Sequence, residues 1–125
     1  MYDKSLVIEI LTQILNASEI VSERFEVVES VDYFTDTPCG MEKLDGICMQ
    51  LIAIGESLKN IDKITNKGLL IKYPQVDWKG AKGIRDIISH HYFDIDAQEI
   101  YFVCDNKLEN LILTIEQIIK DVKFV

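Results

Sequence analysis

The sequence predicts an all-α fold, a bundle of four main helices, on three observations. Apolar residues recur at three- and four-residue steps over long stretches, and nowhere in sustained alternation. No Asn-Gly or Asp-Gly pair joins two alternating runs as a β-hairpin requires. The two prolines, Pro38 and Pro74, fall where the helical pattern breaks.

The first helix is expected over residues 5–28, where Leu6, Ile10, Leu11, Ile14, Val21, Phe25 and Val28 keep the helical period with no Gly or Pro between them. Residues 32–40 collect turn formers, with Pro38 and Gly40, and read as the first connection. Helical spacing resumes with Met41, Leu44, Ile47, Leu51, Ile54 and Leu58 and runs to about residue 59. Gly55 lies inside it. A glycine there costs about 0.5–1 kcal/mol relative to Ala, so it is expected where another helix comes close. Residues 60–74 read as a packed connector with short helical pieces. Asp77 then stands as N-cap to a helix over residues 78–92, with Trp78 as a core anchor. A last helical region holds Ile100, Tyr101, Val103 and Cys104 in one piece and Leu108, Leu111, Ile115, Ile118 and Val122 in another, the two being continuous or broken.

A chain of 125 residues is the length of one domain, and its net charge of −8 argues against non-specific coating of nucleic acid. The charges are not mixed evenly. Residues 1–45 are strongly acidic, whereas residues 67–91 carry Lys67, Lys72, Lys79, Lys82 and Arg85 against only Asp77 and Asp86. Cys39, Cys48 and Cys104 form neither a disulfide framework nor a zinc motif, which fits a reducing compartment. The N-terminus has no basic region before its apolar stretch, and no run approaches the roughly 20 apolar residues of a membrane span. A cytoplasmic protein with no membrane partner is expected.

Residues 83–96 concentrate the chemistry and hold both histidines. On a helix of about 100° per residue, Ile84, Ile87, Ile88 and His91 share a packing side. With Arg85 at 0°, Tyr92 lies near about −20°, Ser89 about 40°, Lys82 about 60°, Asp86 about 100°, Lys79 about 120° and His90 about 140°. Asp86 and His90 stand i,i+4, so the carboxylate can hold the imidazole in one tautomer and leave the other nitrogen to exchange a proton. Arg85 is always charged and forks two hydrogen bonds, which suits a phosphate. A metal is disfavoured, because adjacent histidines point to different faces and Asp94 and Asp96 offer only hard oxygen ligands. Gly80-Ala81-Lys82-Gly83 matches the G-x-x-G of a KH loop but lacks that fold's strands, and no P-loop, G-x-G-x-x-G or serine elbow is present.

Arg85-x4-His90-x-Tyr92 resembles the R-x4-H-x-Y motif of the HepT-like toxins (domain of unknown function 86) of the HEPN superfamily. The likeness extends over about residues 44–120 through Ile54-Gly55-Glu56, Tyr73-Pro74, Trp78, Gly83 and the run from Tyr92 to Asp96. It implies an antiparallel four- to five-helix bundle that dimerises and brings two motifs to one cleft. The implied activity is that of a metal-independent endoribonuclease toxin without cofactor, paired with a minimal nucleotidyltransferase, MntA-like, as antitoxin. Tyr92 is then the residue that this partner modifies with AMP, placing charge and bulk in a cleft meant for RNA. The resemblance makes His90 the proton-transfer group and Arg85 the stabiliser of charge on the phosphorus, with Asp86, Ser89 and Tyr92 in support and Lys79 and Lys82 on RNA phosphates. One departure stands out: many members carry Asn where this chain has Asp86, a negative charge beside an RNA site. Two other readings remain, a catalytically silent HEPN module that binds nucleotide or a nucleotidyltransferase, and a purely structural helical dimer.

Overall fold

The computed structural model describes residues 2–90 and 96–124, the side chains at 89 and 90 excepted. Among these residues the chain forms six α-helices and one 3₁₀ turn and no strand. Helix α1 spans Lys4–Phe25 and begins where the Asp3 carboxylate accepts a hydrogen bond from Leu6 N. Its stripe of Val7, Leu11, Ile14 and Val21 is fully buried. Ser18 lies in the same stripe, and its hydroxyl donates back to the Ile14 carbonyl at 2.8 Å, so no polar atom is left unpaired there. Among the described residues α1 is the one helix long and apolar enough to cross a membrane, a match the sequence reading did not anticipate. Here it packs against two other long helices of the bundle.

The expected connection over residues 32–40 is instead a helix and a helix start. Helix α2 spans Val31–Asp36 and buries Phe34 completely. Helix α3 spans Pro38–Ile64 and opens on the very residues read as breakers. Pro38 occupies the first turn, where its missing N–H is not needed. Thr37 caps that turn, accepting from Gly40 N at 2.9 Å. Gly40 is required because a Cβ there would overlap the Tyr33 carbonyl of α2. An aromatic cluster then joins α2 to its neighbours, with Phe25 5.1 Å from Tyr101 and 6.5 Å from Phe34 between ring centres.

The second long helix also runs further than its expected end near residue 59, because Ile61 continues the buried stripe of Leu44, Ile47, Leu51, Ile54 and Leu58. Burial of each such side chain contributes about 1.5–3 kcal/mol. The chain leaves α3 through Asn66 and Lys67, both left-handed with φ of 52° and 60°, closed by a hydrogen bond from Lys67 N to the Asp62 carbonyl at 2.8 Å. The 3₁₀ turn Leu70–Lys72 follows, then α4, Trp78–His90. Asp77 caps α4 as expected, accepting from Gly80 N at 3.0 Å. Trp78 is buried and donates from Nε1 to the Tyr73 carbonyl at 2.8 Å, anchoring the helix start. Helix α5, Ala97–Asn106, is capped by Asp96, and α6, Leu108–Lys123, is separate from it, the break falling at Lys107.

The long helices stand in the order α6, α1, α3, α4: α1 packs on both α3 and α6, and α3 packs in turn on α4. Among the described residues, the one extensive contact of α4 is with α3, which leaves α4 at the edge of the bundle. Residues 55 and 81–84 meet across this pair, as do residues 62 and 82 and residues 56 and 85, so the two helices run antiparallel.

Candidate active site

Gly55 sets how close α4 comes to α3. A Cβ at that position would lie 3.0 Å from the Ala81 carbonyl oxygen and 3.4 Å from that of Lys82, so the backbone of α4 takes the space a side chain would fill. Ile84 and Ile88 then pack inward, 6% and 4% exposed. Ile87, expected on the same packing side, is 41% exposed. The reason is the edge position: with α3 its one extensive contact among the described residues, α4 is covered along the stripe of Trp78, Ile84 and Ile88, and Ile87 lies at its margin.

The close approach carries the basic residues of α4 past the carboxylates of α3. Arg85 Nη1 donates to Glu56 Oε1 at 2.8 Å, and Lys82 pairs with Asp62. The face read from α4 alone as largely basic is therefore partly neutralised by a neighbouring helix. Both members of the Arg85–Glu56 pair are about half exposed, with relative side-chain areas of 51% and 44%. Such a pair contributes about 0–1 kcal/mol, which a phosphate can outbid for the guanidinium. Lys82 and Asp62 are more enclosed, at 27% and 13%, and hold each other more firmly.

Lys79 and Asp86 are exposed on α4. His90 and Ser89 belong to α4 by backbone, and their side chains lie outside the described residues, as do His91 and Tyr92 entirely. Of the other polar residues near the motif, Asp96 is spent on capping α5, accepting from Glu99 N at 3.2 Å. Cys48 and Cys104 are buried, and burial pushes both thiols up to about 12, so they stay protonated, while Cys39 is exposed.

Two features of this region were not found in the sequence. One is Glu56, which stood in the resemblance only as part of Ile54-Gly55-Glu56 and proves to be the partner of Arg85. The other is a pair of lysines on α3, Lys59 and Lys63, which line an open groove of about 620 Å³ together with Lys67, Lys79 and Lys82. The i,i+4 spacing of Lys59 and Lys63 was the available signal.

The model of the family described as ribonuclease HepT-like matches residues 14–118. Three proteins of Methanocaldococcus jannaschii, each named as a candidate RNase, are similar in sequence. MJ0127 is 42% identical over 77 residues, which cover 62% of this chain and 60% of that protein. MJ1216 and MJ0125 are each 30% identical over 76 residues, 61% of this chain and 58% and 60% of theirs. The matched stretch thus spans less than two thirds of the length of these relatives. No solved structure matches the chain.

Proposed function

The chain belongs to the HepT-like ribonuclease family, and from that premise we propose that it is a metal-independent endoribonuclease whose chemistry is carried by Arg85 and His90. The observation that supports this best is the placement of the motif. Arg85-x4-His90 falls inside the matched residues, on the edge helix, with the guanidinium at the surface and, among the described residues, tied only by a weak pair to Glu56.

In the proposed reaction the 2′-hydroxyl oxygen of RNA attacks the adjacent phosphorus. The P–O bond to the 5′-oxygen breaks, leaving a 2′,3′-cyclic phosphate and a 5′-hydroxyl. His90 takes the proton of the 2′-hydroxyl, and imidazolium or water returns one to the departing 5′-oxygen. Arg85 exchanges Glu56 for the phosphate oxygens and stabilises the charge that grows on them. Asp86 orients His90, Ser89 and Tyr92 support the site, and Lys79 and Lys82 hold flanking phosphates. Because the sequence spacing of Arg85 and His90 sets them about 140° apart on an ideal helix, a homodimer that faces two α4 helices is the arrangement we favour for completing the cleft. In the cell this activity is that of a cytoplasmic toxin, restrained by an MntA-like nucleotidyltransferase that attaches AMP to Tyr92.

The test is direct. Purified protein in chelator should cut RNA to cyclic-phosphate ends, and Arg85→Ala and His90→Ala should each lower the rate by at least roughly a hundredfold with circular dichroism unchanged. The Arg85–Glu56 pair favours one second reading, a silent module whose arginine is kept occupied. That reading gains if the unsubstituted protein leaves RNA intact yet takes up AMP on Tyr92 from a nucleotidyltransferase.

A further inference from the structure

The C-terminal half of α3 and the N-terminal half of α4 run antiparallel and enclose an open groove of about 620 Å³. Lys59 and Lys63 line it from α3, Lys79 and Lys82 from α4, and Lys67 from the turn by which the chain leaves α3. Five cations thus converge in a chain whose net charge is −8. One carboxylate, Asp62, lines the same groove and is paired with Lys82. Lys63, Lys67 and Lys79 have no ion pair among the described residues. A concave surface that gathers unneutralised lysines on an acidic body focuses its field on an anion.

The left-handed turn of Asn66 and Lys67 that ends α3, with φ of 52° and 60°, sets Lys67 at this groove. The floor is open as well: a Cβ at Gly83, which lines the groove, would meet no atom within 4 Å.

We propose that this groove is a track for the phosphate backbone of RNA, leading into the Arg85–His90 site. The claim deepens the ribonuclease reading and rests on it for the identity of the polymer. Lysine suits the task, because a compact ammonium on a flexible stem follows a row of phosphates without fixing one geometry. None of the described residues lining the groove is aromatic, so it offers no platform on which bases stack, and it binds backbone without reading sequence. Lys82 and Arg85 are three residues apart on α4, less than one helical turn, so the track ends beside the motif. Asp62 competes with RNA for Lys82 and tempers the affinity.

Binding of a labelled oligouridine and a labelled RNA hairpin, read by fluorescence anisotropy over a range of salt, tests this in His90→Ala protein, where cleavage is prevented. The combined change Lys59→Gln, Lys63→Gln and Lys67→Gln should weaken binding ten- to a hundredfold. It should also lower the slope of log Kd against log salt by about 2, three phosphate contacts at about 0.7 each for a single strand. The same three positions as Arg should bind like the parent, which separates loss of charge from loss of fold, and Asp62→Asn should tighten binding a few-fold. Loss with the oligouridine alone would assign the track to single strands, and loss with the hairpin alone to duplex stems; either supports it. Parent-like binding by the Gln variant, or no RNA binding by the parent, overturns the track. Cleavage by the unsubstituted chain is measured alongside. Cutting with an inert groove keeps the ribonuclease reading and drops the track, whereas groove-dependent binding without cutting does the reverse.

Discussion

Glu56 is the residue on which the site turns. It places a carboxylate 2.8 Å from Arg85 at a surface where neither group is buried, so its grip is too weak to matter for stability and strong enough to shape what Arg85 meets first. It is also 3.9 Å from Lys59, at the rim of the lysine groove. Replacing it tests this balance. Glu56→Gln should change the thermal midpoint by no more than a few degrees, since an exposed pair contributes under about 1 kcal/mol. The same change should lower KM for RNA several-fold at unchanged kcat, because a phosphate no longer displaces a carboxylate. A fall in kcat at constant KM would instead make Glu56 a positioning residue that holds the guanidinium in its working orientation. Such cross-helix pairs were invisible in the sequence for a physical reason. Spacing along one helix reports which residues share its face, and says nothing of which carboxylates a neighbouring helix slides alongside.

At the level of helices, the contact between α3 and α4 depends on one glycine and tolerates another. Gly55→Ala would set a methyl group 3.0 Å from the Ala81 carbonyl oxygen, so that α4 must give by a few tenths of an ångström, and should destabilise the protein by about 1–3 kcal/mol while loosening the Arg85–Glu56 pair. Gly83, on the same helix as Arg85, meets nothing within 4 Å. Gly83→Ala should therefore stabilise the isolated chain by about 0.5–1 kcal/mol through helix propensity. Denaturant unfolding of both variants checks the contrast. A Gly83→Ala protein that is more stable yet cleaves RNA poorly would mean that another molecule approaches the backbone there. The long helices were legible because buried stripes such as that of α3 keep their period, and Gly55 was legible as an expensive residue inside a strong helix. Helix α2 was not, because six residues hold too few turns to show a period, and Pro38 and Gly40 serve a helix start in the same letters that would serve a loop.

Across the whole molecule, charge and packing divide the labour. The acidic N-terminal third builds α1, α2 and the start of α3 around the core, while the cations gather where α3 and α4 meet. The helices α1 and α3 each pack extensively against more than one neighbour, whereas the one extensive contact of α4 among the described residues is with α3. That difference fixes the order in which backbone amides give up their protons to solvent. Amides of α1 and of the buried half of α3 should exchange only when the whole bundle unfolds, and those of α4 should exchange through a smaller opening that costs less than global unfolding. Hydrogen–deuterium exchange read by mass spectrometry across denaturant concentrations checks this, and equal protection of α3 and α4 would refute it. Arg85 thus rides on the helix with the smaller share of the bundle's packing, so the surface that presents it should open at lower cost than the core that carries it.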